Sequence, residues 1–269
     1  KLKTMAIVDP KRSPDGLDVY EMPIKGHTYI MTVDVARGIA NDYSAFIVID
    51  ATKAPYKIVA KYRNNDIKPI VFPNILKKVG DYYNKAYCLI EINDLGQQVA
   101  DAMQFELEYD NMMMVTQRGR AGQVLGGGFS GRGNQLGLRM TKGTKKIGTS
   151  NLKSLIEGDK LIIQDFEIVS ELSTFISKGK SFEAENGAHD DLVMCLVIFS
   201  WCANQRYFKE LTNVDVRGQM FTEQQNAIEA DMAPFGFIDD GLNDPDGNNN
   251  SFFDDAGVLW SPVTYRKGE

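Results

Sequence analysis

The segment Leu192 to Ala203 is apolar at every position except Ser200. A bilayer span needs about 20 such residues, so this run reads as a helix buried inside a globular fold, with no membrane partner expected. Such a helix needs protein on every side, which points to a layered domain with the helix packed on a sheet. The chain has 269 residues, enough for one large domain or one domain with appendages. Its 43% hydrophobic and 25% charged residues exclude wholesale disorder and collagen-like structure.

Local pattern supplies the sheet. Thr28 to Ala36 alternates, with Tyr29, Met31, Val33 and Val35 on one face and Ile30, Thr32, Asp34 and Ala36 on the other. Gly38, Asn41 and Asp42 suit a turn, and Ser44–Asp50 and Tyr56–Arg63 then complete an antiparallel meander. A helix is predicted over Asn74–Tyr83 and a strand over Ala86–Ile92. Asn93–Gly96 leads into a further helix striped by Leu95, Val99 and Met103, and Met112–Thr116 is a short strand. Later come a short helix capped by Asn151 and ending at Gly158, a strand over Lys160–Gln164 and a helix over Glu167–Lys178. A strand over Lys180–Glu185 and the buried helix His189–Asn204 close the series. That order predicts an α/β fold, a mixed sheet of three antiparallel strands and then parallel strands, with helices on both faces.

Charge is divided along the chain. Between Thr116 and Lys153 stand Arg118, Arg120, Arg132, Arg139, Lys142, Lys145, Lys146 and Lys153, with no Asp or Glu and many glycines. Cations with close-approaching backbone suit phosphate contact, although a solvated loop has the same composition. From Gly218 to Tyr265 there are acids and no Lys or Arg. The expected organisation is a domain over 1–215 with a basic, glycine-rich insertion at about 117–147, and an acidic C-terminal extension over 216–269. Three cysteines without paired spacing and two histidines argue against a disulfide framework or a structural zinc site.

Three groups of acids stand where acids are disfavoured or exposed to other uses. Asp34 lies within an apolar strand, and Glu91 ends another. If those strands run parallel, the two carboxylates become neighbours at the carboxyl end of the sheet, where α/β folds bind ligands. Asp190 and Asp191 open the buried helix, where they could simply cap it or could face the same edge. Together they describe an Asp–Glu–Asp cluster of hard oxygen ligands suited to Mg²⁺ or Mn²⁺. Two such ions about 4 Å apart would activate water and stabilise a phosphodiester leaving oxygen. With a basic segment alongside, the residues point to metal-dependent nucleic-acid hydrolysis.

Val33-Asp34-Val35-Ala36-Arg37-Gly38, Leu89-Ile90-Glu91-Ile92-Asn93 and His189-Asp190-Asp191-Leu192-Val193-Met194 resemble the nuclease motifs of phage large terminase subunits of the T-even type, with a ribonuclease-H-like fold. The resemblance runs from about Tyr29 to Phe208. It implies an endonuclease that cuts concatemeric phage DNA during genome packaging in the host cytoplasm. Its partners would be double-stranded DNA, an N-terminal packaging ATPase domain of the same protein, the portal and the small terminase subunit. No Gly-x-x-x-x-Gly-Lys-[Ser/Thr] loop occurs, and the start at Lys1 is expected of a C-terminal portion of a longer protein. Carried over, Asp34, Glu91 and Asp191 match the catalytic metal ligands, with Asp190 beside them. Adjacent acids are not separable from sequence. Asp42 and His189 would support the ligands from behind, and Arg118, Arg120, Arg132, Arg139, Lys142, Lys145 and Lys146 would grip DNA. The rivals are a junction resolvase or transposase, an actin-like ATPase using Asp34–Gly38 as a phosphate loop, and a non-catalytic packaging or docking module.

Overall fold

The computed structural model describes residues 5–11, 13, 16–36, 43–118, 122–126, 134–179, 181–212, 252–253 and 259–260. Alternating and β-branched residues give β1 (Leu17–Val19), β2 (Tyr29–Asp34), β3 (Ser44–Asp50) and β4 (Tyr56–Asn64). Helix α1 (Phe72–Tyr82) precedes β5 (Tyr87–Ile90), and α2 (Gly96–Asp101) runs on into a π-helical turn over Ala102–Glu106. The central sheet has the order β1-β4-β3-β2-β5, antiparallel from β1 to β2, with β5 parallel to β2. Past β5, Cys88 and Glu91 make parallel bridges to Met112 and Leu138.

The basic stretch opens with a three-stranded antiparallel sheet, in which β6 (Met114–Arg118) lies between β7 (Gly122–Gly126) and β8 (Asn134–Leu136). It then enters α3 (Lys142–Glu157), far longer than the helix predicted from Asn151. Thr141 caps it by accepting from Thr144 N at 3.1 Å. Gly148 lets α3 approach the buried helix, since a Cβ there would stand 2.6 Å from the Val197 carbonyl oxygen. Glycines that read locally as a loop are therefore packing residues.

The remaining elements are β9 (Leu161–Ile162), parallel to β4, then α4 (Phe166–Thr174), β10 (Phe175–Lys178), β11 (Ser181–Ala184), α5 (Asp191–Ala203) and α6 (Arg206–Thr212). The helix predicted to Lys178 ends four residues early. Phe175 fits the helical stripe, yet the chain turns at Gly179 and pairs β10 with β11, stacking Phe175 on Phe182.

The two sheet faces sort as the alternation predicts. Ile30, Ile47 and Leu89 pack with α5, whose residues Leu192 to Cys202 are all buried. Tyr29, Met31 and Val33 pack on the opposite face with Leu76 and Val79 of α1 and Val99 of α2. Burying each large apolar side chain contributes roughly 1.5–3 kcal/mol, so α5 is the strongest single clamp on the sheet. Among the described residues no helix is long and apolar enough to cross a membrane. The chain divides into two compact units, Lys1–Arg217 and Gly218–Glu269. In the second, β12 (Phe252–Phe253) pairs antiparallel with β13 (Leu259–Trp260).

Candidate active site

Asp34 is the last residue of β2, on the face that meets α5: Thr32, two residues earlier, donates its hydroxyl to the Cys195 carbonyl at 2.9 Å. Parallel pairing sets Val33 opposite Ile90, and Glu91 N donates to Val33 O at 2.9 Å. The next step of the register therefore places Glu91 beside Asp34 at the carboxyl end of both strands. Asn93 Nδ2 fixes the Glu91 carboxylate by donating to Oε1 at 2.9 Å, and also reaches the Met140 carbonyl at 3.0 Å.

Asp190 and Asp191 stand at the front of α5, and neither side chain caps it. Asp190 occupies the cap position without a side-chain hydrogen bond. The free amides of Leu192 and Val193 instead donate to Glu171 Oε2, at 2.9 and 3.1 Å. With Glu171 satisfying the helix, the aspartates are left to face other groups. Asp190 pairs with Lys145 at 3.5 Å, and Asp191 lies 3.4 Å from the Arg63 guanidinium and 3.8 Å from His189 Nδ1.

Electrostatics tie these acids together. Burial, and then the charges of Glu91, Asp191 and Asp190, push the Asp34 carboxyl well above the usual range, against the pull of Lys145. Burial raises Glu91 to about 7; Lys145 opposes that shift, while Asp190 and Asp94 add to it. Burial also raises Asp191, partly offset by Arg63 and His189. Carboxylates that raise one another's affinity for protons equally favour a cation. Among the described residues no three His, Cys, Asp or Glu side chains already stand as a closed metal cage; Arg63 and Lys145 lie among the acids instead. The donor set, hard oxygens whose repulsion Lys145 and Arg63 offset only in part, fits a divalent ion of the Mg²⁺ class.

A family model described as the terminase RNaseH-like domain matches residues 31–199, the span that carries all of these acids. The chain belongs to this family. Solved structures agree in fold. The large terminase nuclease from thermophilic phage G20c with bound magnesium matches at TM-score 0.57 and 21% identity, covering 75% of this chain and 94% of that one. The Thermus phage P74-26 large terminase nuclease domain matches at TM-score 0.52 and 24% identity, over 73% and 90%. The G20c nuclease is also known with bound cobalt and bound zinc.

The remaining expected residues of this terminase domain fall in several places. His189 packs edge-on against Tyr43, with ring centroids 5.1 Å apart. Lys145 turns into the acid cluster, whereas Lys142, Lys146 and Arg139 are exposed. Arg118 closes β6, its side chain outside the described residues, as are Asp42, Arg120 and Arg132 altogether. Sequence reasoning missed Arg63, Glu171 and Asn93. Lys61, two residues before Arg63 on the same face of β4, is 3% exposed and bound to Asp165 at 2.7 Å, but nothing in the local sequence marks either cation as drawn inward. Glu171 sits on the apolar stripe of α4, one turn after the buried Ile168.

The glycine opening α2 also belongs to the site. A Cβ on Gly96 would lie 1.7 Å from the Glu91 carbonyl oxygen, so any side chain there displaces the backbone that aims Glu91. Gly96→Ala is expected to lower divalent-dependent DNA cutting at least about tenfold, as misplaced supporting groups do. Cleavage rates and circular dichroism on the same sample check this; wild-type rates would refute it.

Proposed function

We propose that this terminase domain is a divalent-metal-dependent endodeoxyribonuclease that cuts concatemeric phage DNA during packaging. The observation that carries the reading is geometric: parallel pairing sets Glu91 beside Asp34 at the carboxyl ends of β5 and β2, and the charges of Asp190 and Asp191, at the front of α5, act on Asp34 there. The magnesium, cobalt and zinc bound by the G20c nuclease support a divalent requirement. Asp34, Glu91 and Asp191 would hold the ions, with Asp190 beside them, and a pair of Mg²⁺ or Mn²⁺ ions suits the oxygen donors. When bound, such ions lower the pKa of an attacking water and neutralise charge at the leaving oxygen.

The chain's own residues supply the rest. Asp34 ends β2, whose other residues are all buried, so its backbone is fixed by the sheet. Asn93 orients Glu91, and Arg63 and His189 flank Asp191. Lys145 stands at the cluster, placed to meet a phosphate oxygen when Asp190 releases it. Exposed Arg139, Lys142 and Lys146 would contact the DNA backbone, with Arg118, Arg120 and Arg132 from earlier in the basic segment. Asp42 would support the ligands. The reading extends to an N-terminal packaging ATPase domain in the same protein, to portal and small terminase subunit as partners, and to the host cytoplasm as the place of action. Residues 1–215 would form the nuclease domain, with the basic insertion near 117–147, and 216–269 the acidic extension.

Supercoiled plasmid, linear duplex and four-way junction DNA, each with Mg²⁺, Mn²⁺ or EDTA, test the reading. Cutting of plasmid and linear duplex with either ion and none in EDTA is expected. Cutting confined to junctions would favour a resolvase, and no cutting with either ion would leave only a docking module.

A further inference from the structure

Glu171 and Arg63 come from α4 and β4, yet both converge on the first turn of α5. Glu171 is 6% exposed and spends one carboxylate oxygen on two amides immediately after Asp191. Its other oxygen, Oε1, has no hydrogen-bond partner and faces Arg63 Nε, itself without one, across 3.6 Å. The same guanidinium reaches Asp191 Oδ2 at 3.4 Å through its terminal nitrogen. Tyr43 covers the flat face of the guanidinium at 3.9 Å, which leaves its N–H edges directed at the two carboxylates. An arginine serving only as a buried counter-ion needs one acid. This one is shared between an acid that holds a helix and an acid of the cluster. Lys145 takes Asp190, so the adjacent aspartates are steered by different cations.

We infer that Glu171 and Arg63 are a positioning pair, in which Glu171 sets the depth and rotation of α5 and, through Arg63, the direction of the Asp191 carboxylate. The inference rests on the cluster being the metal-binding cleavage site. Neither residue touches the reacting atoms. Their part is to hold one ligand in its working orientation, as groups behind metal ligands do.

Glu171→Gln separates this role from simple capping. The amide keeps an oxygen for the Leu192 and Val193 amides, but loses the charge and presents NH₂ towards Arg63. The expected result is a protein that still folds, with unchanged KM for DNA, kcat lowered about tenfold or more, and Mn²⁺ affinity by calorimetry weakened to a similar extent. Arg63→Lys, which leaves the cap intact, should show the same split, because an ammonium cannot bridge two carboxylates as a planar fork does. Should Glu171→Gln fail to fold, Arg63→Lys decides alone. If both variants cut DNA and bind Mn²⁺ as wild type does, the inference is overturned while the nuclease reading stands. If the wild type binds Mn²⁺ without cutting, the nuclease reading fails and the Mn²⁺ affinities of the variants still decide the inference. A wild type that neither cuts nor binds overturns both.

Discussion

Asp34→Asn is expected to abolish divalent-dependent cutting, by roughly 10²–10³-fold or more, and at the same time to raise the stability of the metal-free protein. The first effect follows from losing a charged oxygen between Glu91 and Asp191, because a metal that stabilises transition-state charge contributes several kcal/mol, and each 1.4 kcal/mol is about tenfold in rate. The second follows from the surroundings of Asp34. Burial and three neighbouring carboxylates all disfavour its ionised form, and Lys145 only partly offsets them. Asparagine has nearly the same shape and no charge, so the fold loses a repulsion and no packing. A gain of about 1 kcal/mol would raise the melting temperature by roughly 2–4 °C in a domain of this size. Plasmid nicking assays and thermal melts in EDTA read the two effects separately. A variant that is both inactive and less stable would instead mark Asp34 as a structural hydrogen-bond acceptor. Loss of cutting in Asp190→Asn but not Asp191→Asn would exchange the roles of the adjacent aspartates.

The placement of Asp34, Glu91 and Asp191 is legible from sequence because each breaks a local rule. An aspartate in a buried strand and a glutamate at the end of Tyr87-Cys88-Leu89-Ile90 cost free energy that a plain fold would avoid, and such conflicts gather where function resides. The sheet was legible for a related reason: strict alternation in β2 and short connections to β3 and β4 leave few topologies. Arg63 was not legible, since a charged residue near a strand end is ordinarily solvated. Its environment is made by α4 and α5, more than a hundred residues away. Helix α3 was hidden differently. Lys142 to Gly148 has weak helical propensity, and tertiary contact with α5 at Val197, rather than any local window, makes it a helix. The β10–β11 hairpin was masked because Phe175 continues the apolar spacing of Ile168 and Leu172, a period that cannot show where pairing with Phe182 takes over.

In EDTA the protein is expected to lose stability as pH rises from about 5 to 8, and Mg²⁺ or Mn²⁺ is expected to restore it at the alkaline end only. Glu91 is raised from 4.5 to about 7 in the folded chain, Glu171 likewise, and Asp34 and Asp191 are raised as well. For acids shifted upward, the folded state binds more protons than the unfolded one. Their favourable contribution is complete below the unfolded values and disappears as pH passes through the folded ones, which for Glu91 and Glu171 lie near 7. At about 1.4 kcal/mol per pKa unit, Glu91 alone weakens the fold by at most roughly 3 kcal/mol at pH 8. A cation bound at 100 times its dissociation constant returns about 2.7 kcal/mol, nearly the same amount. At pH 5.5, where Glu91 already holds its proton, the cation has less left to neutralise. Thermal melts at pH 5.5 and 8, with EDTA and with Mn²⁺, check this. Glu91→Gln should flatten both the pH slope and the Mn²⁺ shift without disturbing the fold, since its Asn93 hydrogen bond accepts equally well at an amide oxygen. A metal-free protein that becomes more stable towards pH 8 would mean that the four carboxylates do not strain one another, and the physical reason for a cation at this sheet edge would be gone.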